Sequence, residues 1–383
     1  MARSFNILAI SSWYPTNKNP GFGIFVKRHL LEIAKSNKVD VLYFDHFSNI
    51  SKGESRYSAN FQEGLFEHVI KVGGFGGLPF SILRTYIWYI KLIVLGRLGK
   101  HDITHLHVPY HIGIILAPFL LLSNRPLVVS EHWSGYFNED GRFKGLSITF
   151  RVLLRALFFK SKIITVVSRS LADSLSQLFQ IGHKIIVVPN VFSKHITVRS
   201  LDAIQDGSFL MVANFNNSEK NITGAIDAFW LLYKKYPHIR LKIVGTGPDF
   251  EFIRDYKNRL GLTDDVCELT GFVNQTELSQ YYHTASCYIM NSNFETFSIS
   301  TLDALLHGVP VISTKCKGPE SFVNASNGLL IEVGNVQQLQ SAMEHMITCY
   351  TQYHPVSVKS SIPGELLQDI DVAFSNVYKN VVR

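Results

Sequence analysis

Strand-length apolar runs alternate with helix-length amphipathic stretches along this chain, and the alternation runs through twice. In the first round "FNILAIS" (5–11) leads into "GIFVKRHLLEIAKS" (23–36), whose apolar residues recur at helical spacing, and then into "KVDVLYF" (38–44). "DITHLHV" (102–108), "PLVVSEH" (126–132), "KIITVVS" (162–168) and "KIIVVPN" (184–190) read as further buried strands. Continuous apolar runs suit strands whose two faces are both covered by helices, as in a parallel sheet. The second round opens with strand "FLMVANF" (209–215), helix "NITGAIDAFWLLYKKYP" (221–237) and strand "RLKIVGTG" (240–247). A helix near 249–260 and strands "VCELTGFV" (266–273), "CYIMNS" (287–292), "VPVIST" (309–314) and "GLLIEV" (328–333) complete it. This predicts an α/β chain with two Rossmann-like, doubly wound parallel-sheet domains facing across a cleft. The domains are expected at 1–192 and 205–355, joined by a polar linker near 193–208, with a helix in 356–383 packing back on the first domain.

Composition narrows the class. Of 383 residues 46% are hydrophobic and 17% charged, enough for buried cores and unlike a disordered chain. Cys267, Cys287, Cys316 and Cys349 form no CxxC pair, which argues against a metal knuckle or a disulfide framework and for a reducing cytosol. The N-terminal "MARSFNILAISSWYP" has no small-residue cleavage site and reads as a first strand, not a signal peptide. "LPFSILRTYIWYIKLIVLGRL" (78–98) carries Arg84, Lys91 and Arg97, and "IGIILAPFLLL" (112–122) is short, so neither is a membrane span of about 20 apolar residues. The net charge is +7, and basic and aromatic side chains mix through the first 110 residues, among them Lys27, Arg28, Lys71, Tyr86, Trp88 and Tyr89. Two readings fit: a helix with one buried face and solvated cations, or a surface resting on an anionic bilayer. No nucleic-acid motif accompanies the charge, so nucleic acid is not expected as a partner.

In such folds ligands sit outside the carboxyl ends of the strands, at helix N-termini. The first loop, "SSWYPTNKNPGFGIFVKRH", places Gly21 and Gly23 just ahead of a helix, where a ligand or a plain turn would use them equally. Val26 stands where a dinucleotide fingerprint needs its third glycine, and no Walker sequence is present. Glu131 and His132 fall at a strand end. His105 and His107 share one strand face, near His111, but no third metal ligand with fitting spacing follows, and no metal is expected. Lys220 directly precedes a helix start, a place that suits a phosphate as well as a solvated loop lysine. "NSNFETFSISTLDALLHGVPVIST" (291–314) puts Glu295 in a loop and Asp303 one to two turns into a helix starting near Ser298, with Ser298, Ser300 or Thr301 available as caps. The amides of Phe297, Ser298 and Ile299 would form an anion nest between two carboxylates able to accept from paired hydroxyls.

With these segments in place the chain resembles the family 4 glycosyltransferases of bacterial polysaccharide biosynthesis, retaining enzymes with the GT-B fold. The strongest segment is "NSNFETFSISTLDALLHGVPVISTKCKGPESFV", supported by "SSWYPTNKNPGFGIFVKRHLLEIAK", "VVSEHWSGY", "VVPNVF", "SEKNITGAIDAF", "KIVGTGPD" and "LTGFV". The resemblance implies transfer of a sugar from a nucleotide diphospho-sugar with retention at the anomeric carbon, without a divalent metal or other cofactor. It implies that Glu295 contacts the donor sugar's hydroxyls, Asp303 the ribose, Lys220 the diphosphate, and His132 the transferred sugar. Gly21 and Gly23 would face the phosphate, and the backbone of Val273 would read the base. Two positions depart from the pattern. Asp303 stands for a glutamate, one methylene shorter, and Asn214 stands where an arginine is frequent. "DID" (369–371) looks like a metal-binding triplet but lies in an expected C-terminal helix, away from any strand end.

The resemblance makes the first domain the acceptor side and the second the donor side. A UDP- or GDP-sugar is the expected donor and a lipid-linked saccharide the expected acceptor, in capsule, O-antigen or exopolysaccharide assembly. The greasy, basic segment at 71–99 suits a membrane-embedded acceptor, so the chain is expected in the cytoplasm at the inner face of the cell membrane. A nucleotide-sugar epimerase or hydrolase on the same fold, and a non-catalytic nucleotide-sugar-binding partner, are the alternatives.

Overall fold

The computed structural model describes residues 4–16, 19–46, 51, 54–73, 78–192, 196–203 and 207–382. The chain forms two compact units, residues 1–191 with 368–383, and residues 192–367. Parts of the expected linker (193–195 and 204–206) and of the greasy segment (74–77) lie outside the described residues.

The first unit is built on eight strands: β1 (Asn6–Ser11), β2 (Lys38–Asp45), β3 (Ser55–Gln62), β4 (Leu65–Val72), β5 (Ile103–His107), β6 (Leu127–Glu131), β7 (Ile163–Val166) and β8 (Ile185–Val187). Their order is β3-β4-β2-β1-β5-β6-β7-β8, and only β3 runs antiparallel to its neighbour. Every residue of β5 and β6 is buried, as a sheet covered on both faces requires.

The β3–β4 hairpin is absent from the sequence reading. β3 is almost wholly exposed, so "SRYSANFQ" carries no apolar run to announce a strand. Its turn is Glu63-Gly64, both with positive φ (54° and 86°), the geometry of a tight two-residue hairpin made here without the usual Asn-Gly or Asp-Gly.

The C-terminal helix Ile370–Val381 belongs to this unit and packs on the first helix, Ile24–Ala34. The chain returns at residue 368, later than the expected 356. Asp369 caps this helix, accepting from the Val372 amide, and Asp371 accepts from the Ser36 hydroxyl at 2.5 Å. The "DID" triplet is therefore spent on structure. Inside, His105 is held on both sides: Nδ1 lies 2.7 Å from the Tyr378 hydroxyl and Nε2 2.7 Å from Ser130 Oγ, which bonds onward to Thr165.

The second unit carries six parallel strands: β9 (Ser208–Val212), β10 (Arg240–Val244), β11 (Cys267–Gly271), β12 (Cys287–Met290), β13 (Val311–Thr314) and β14 (Gly328–Ile331). Their order is β11-β10-β9-β12-β13-β14. The chain steps outward from β9 to β11, then returns to lay β12 on the other side of β9. The strand order thus reverses between β9 and β12, and the loops leaving these two strands diverge around a crevice. The described part of the linker is docked on this unit. Buried Arg199 donates from its amide to His307 O (3.0 Å), from Nε to Gly308 O (3.1 Å) and from Nη1 to Ala285 O.

Replacing Tyr378 with Phe removes the buried partner of His105 Nδ1 and leaves that nitrogen unsatisfied. The expected cost is about 1–3 kcal/mol, read as a lower urea midpoint at unchanged slope.

Candidate active site

Lys220 and Glu295 meet at the β9–β12 reversal. Lys220 ends the one-turn helix Asn217–Lys220, and Asn221, in left-handed conformation, joins it to the helix Ile222–Tyr233. The loop after β12 is laced to this segment: Asn291 Nδ2 donates to Asn221 O (2.9 Å), Asn293 N to Glu219 O (2.8 Å) and Asn293 Nδ2 to Ser218 O (2.9 Å). The lacing brings Lys220 Nζ to 2.5 Å from Glu295 Oε2, with both side chains about one-fifth exposed. Burial pulls the Lys220 ammonium towards neutrality, but the Glu295 carboxylate outweighs it and the lysine pKa is raised.

Glu295 is itself anchored by backbone. Its amide donates to Cys316 O (3.0 Å) and its carbonyl accepts from the Gly318 amide (2.9 Å). Gly318 admits no side chain, because a Cβ there would lie 2.6 Å from the Phe297 nitrogen. The turn after β13 thus braces the loop carrying Glu295 and Phe297. Ser298 follows with φ 68° and ψ 83°, a strained setting for a residue with a Cβ, as the N-cap of the helix Ile299–Leu306. It does not cap with its side chain; its hydroxyl bonds Thr301 Oγ1 at 2.7 Å. Among the described residues the amides of Phe297, Ser298 and Ile299 have no acceptor. Tyr288 and Tyr282, which sequence reasoning missed, fix this turn from below. The Tyr288 hydroxyl donates to Val212 O (3.2 Å) and shares a 2.8 Å bond with the Ser300 hydroxyl, while the Tyr282 hydroxyl donates to Ser300 O (3.1 Å). Core-like "CYIM" gave no sign of it. Val212, Lys220, Tyr288, Ser292, Glu295 and Ser298 line a small cavity here. Asp303 lies just over one turn into the helix and is buried, its carbonyl accepting from His307 N and Nδ1. Val273, half-buried, follows the end of β11, the edge strand that lies three places from β12 in the strand order.

His132, Gly21 and Gly23 belong to the first unit. Glu131 ends β6 fully buried and organises the turn that follows. Its Oε1 accepts from the amides of His132 (2.8 Å) and Trp133 (2.9 Å), and its Oε2 from the Tyr136 hydroxyl (2.8 Å). Burial pushes its carboxyl up to about 7, against these three bonds. His132 is buried among rings, with centroids 4.7 Å from Phe25, 5.4 Å from His29 and 6.3 Å from His107. Burial first, then His29 and His105, hold its imidazole well below the usual histidine range. Among the described residues neither ring nitrogen has a partner. Gly23 caps the helix Ile24–Ala34 with φ 67°, and a Cβ there would lie 2.4 Å from the Trp13 carbonyl carbon. Chain-on-chain approach alone therefore demands this glycine, whereas nothing stands within 4 Å of a Cβ at Gly21. His105 and His107 share a face, with centroids 3.9 Å apart. Among the described residues no group of three or more His, Cys, Asp or Glu could hold a metal ion.

A lysine–carboxylate pair and open amides at the reversal point of a doubly wound sheet have the chemistry to hold an anionic ligand bearing hydroxyls. Residues 54–193 match the family model described as Glycosyltransferase Family 4, and residues 202–357 the model described as Glycosyl transferases group 1. An uncharacterised glycosyltransferase of Haemophilus influenzae is 28% identical over 151 residues, covering 39% of this chain and 42% of that one. The 2-deoxystreptamine N-acetyl-D-glucosaminyltransferase of Niallia circulans is 22% identical over 301 residues, covering 71% and 76%. The chain thus spans under half of the first relative and about three quarters of the second. The Anabaena protein HepE, solved in complex with UDP, matches with TM-score 0.73 at 17% identity over 98% of this chain and 99% of that one. The chain belongs to the family 4 glycosyltransferases and has the GT-B fold.

The buried histidines give the first unit an acid limit. Burial lowers His29 to about 4 and His105 to about 3, and holds His107 well below the usual value. In the unfolded chain all of these, with His132, take protons below about 6.5. The unfolded state then binds more protons, so stability falls as pH drops from about 6.5 towards 4. Glu131, raised in the fold, acts in the opposite direction and offsets one histidine. The expected loss is on the order of 1 kcal/mol per pH unit for each uncompensated histidine, measured by urea unfolding at pH 7 and pH 5.

Proposed function

We propose that the chain moves a sugar from a UDP- or GDP-sugar, with retention, to a lipid-linked saccharide acceptor. The setting is cell-surface polysaccharide synthesis at the inner face of the cell membrane. The observation that carries the reading is the 2.5 Å Lys220–Glu295 pair beside the open amides of residues 297–299. HepE is recorded with UDP, and the Niallia circulans relative is named for transferring N-acetylglucosamine, which supports a nucleotide-sugar donor.

In this mechanism the diphosphate is the leaving group. The bond from the anomeric carbon to the diphosphate oxygen breaks, and the acceptor hydroxyl oxygen bonds to that carbon on the same face. The hydroxyl proton leaves on the departing diphosphate. Lys220 and the amides of Phe297, Ser298 and Ile299 stabilise the developing charge. Glu295 holds the donor sugar's hydroxyls and Asp303 the ribose, while the backbone at Val273 reads the base. His132, neutral through burial, meets the transferred sugar, and the loop at Gly21 and Gly23 faces the phosphate. The lysine supplies the cationic stabilisation, so no divalent metal is needed.

A panel of UDP- and GDP-sugars tests the reading. One donor should raise the melting temperature of the wild type, by about 2.7 kcal/mol of linkage at a hundredfold excess over Kd, and Lys220→Ala should lose the shift. Glu295→Ala should lower transfer at least about a hundredfold, and EDTA should leave the wild-type rate unchanged. No shift with any donor would favour a non-catalytic role. Nucleotide release without need of an acceptor would favour a hydrolase, and conversion of the donor sugar an epimerase.

A further inference from the structure

In the first unit most of the exposed apolar side chains lie on the helices covering one face of its sheet. The connections β4 to β5, β5 to β6 and β6 to β7 all step in the same direction along the strand order. Right-handed crossovers therefore place their helices, Leu78–Val94, Ile112–Leu122 and Ile148–Lys160, on one side. The middle helix packs against both others, with Phe119 5.2 Å from the rings of Tyr86 and of Tyr89.

The outer surface of this layer is apolar where a water-facing helix would be polar. On Leu78–Val94, Thr85, Tyr89 and Leu92 are buried, while Phe80, Leu83, Ile87, Ile90 and Val94 form a stripe at helical spacing on the opposite side, up to 76% exposed at Val94. Leu122 ends the middle helix at 84% exposure. The third helix shows Ile148, at 71%, with Val152 and Phe159. Single exposed apolar residues are ordinary, but rows of them on adjoining helices are not.

The charge around these rows has one sign. Residues 68–101 contain Lys71, Arg84, Lys91, Arg97 and Lys100 and no Asp or Glu. Residues 141–168 contain Arg142, Lys144, Arg151, Arg155, Lys160 and Lys162, again with no Asp or Glu. A polyanionic partner is thereby selected, and the aliphatic stripe selects among polyanions. Nucleic acid offers phosphates but no use for Ile, Leu and Val in rows, whereas an anionic bilayer offers phosphates over hydrocarbon.

We propose that this three-helix face seats the first unit on an anionic phospholipid bilayer, its aliphatic side chains at the headgroup–acyl boundary and its cations among the phosphates. Among the described residues no helix is long and apolar enough to cross a membrane, so the contact is peripheral. The proposal assigns a surface and a partner, and it does not depend on the reaction proposed above.

Co-sedimentation with vesicles of phosphatidylcholine alone, and of equal parts phosphatidylcholine and phosphatidylglycerol, tests it on the full chain. The wild type should bind the mixed vesicles, at least about tenfold better than the neutral ones, and release at high salt. Ile87→Glu with Ile90→Glu, and separately Arg151→Glu with Arg155→Glu, should each weaken binding at least about tenfold. Unchanged wild-type melting temperatures in both variants certify that the fold is intact. Failure of the wild type to bind mixed vesicles, equal binding to neutral ones, or undiminished binding by folded variants would overturn the proposal. So would a lipid-free dimer that the same variants break, which would give the face to a second copy of the chain. A nucleotide-induced melting shift that survives in the variants separates failure here from failure of the proposed reaction.

Discussion

The second unit depends on where its strand order turns back. A chain that lays β10 and β11 outward from β9 and then returns β12 to the other side of β9 must send two loops in opposite directions from neighbouring strand ends. Backbone groups at that gap would be left without sheet partners unless something crossed it. Here Asn291 and Asn293 cross it by hydrogen bonds and the Lys220–Glu295 ion pair by charge. Removing either charge would leave the other half-buried without compensation, which is costlier than losing an exposed pair. The same pair that closes the gap is the one proposed to meet a phosphate and sugar hydroxyls, so on that proposal the stability of the reversal and the chemistry of the site share their atoms.

Order in this crevice is imposed from outside it. The loop at Glu295 is clamped by the Cys316–Gly318 turn, and the first turn of the Ile299–Leu306 helix is held by two tyrosines beneath it. Ser298 can then be kept in a left-handed conformation that costs about 1–2 kcal/mol for a residue with a Cβ. Strain of this kind persists only where surroundings over-determine it. What it secures is three successive amides that have no acceptor among the described residues. His132 in the first unit is held in a comparable way: Glu131 fixes the backbone of the turn, and burial beside Phe25, His29 and His107 keeps the imidazole well below the usual histidine range.

The parallel sheets were legible because continuous apolar runs have few other uses. Lys220, Glu295 and His132 drew notice because strand ends are where such folds keep ligands, and the fold brings the first two into contact. What escaped reading has physical reasons. β3 is an edge strand with almost no buried residues, so no hydrophobic period marks it, and Glu63-Gly64 is a weak turn signal. Tyr282 and Tyr288 look like core residues because they are buried to the ring, and only their hydroxyls reach the site. Gly23 drew notice as a ligand-facing glycine, yet the crowding of Trp13 already accounts for it. Arg199, read as part of a polar linker, is a buried anchor whose partners are carbonyls and therefore leave no charge pattern in the sequence.

The positive charge of the chain belongs mainly to its surface. At the reversal Lys220 is balanced by Glu295, and Asn214 nearby in the sequence is uncharged, so the crevice gains little from a net charge of +7. The excess lies instead in the acid-free segments around the Leu78–Val94 and Ile148–Lys160 helices, interleaved with exposed aliphatic side chains. Exposed cations in water contribute little to stability, and exposed isoleucines contribute nothing to solubility. Their coincidence on one helical layer is therefore not required by the fold, and the proposed bilayer contact gives it a use. On the proposal of a bilayer contact, the basic isoelectric point of this chain describes where the protein rests more than what its crevice holds.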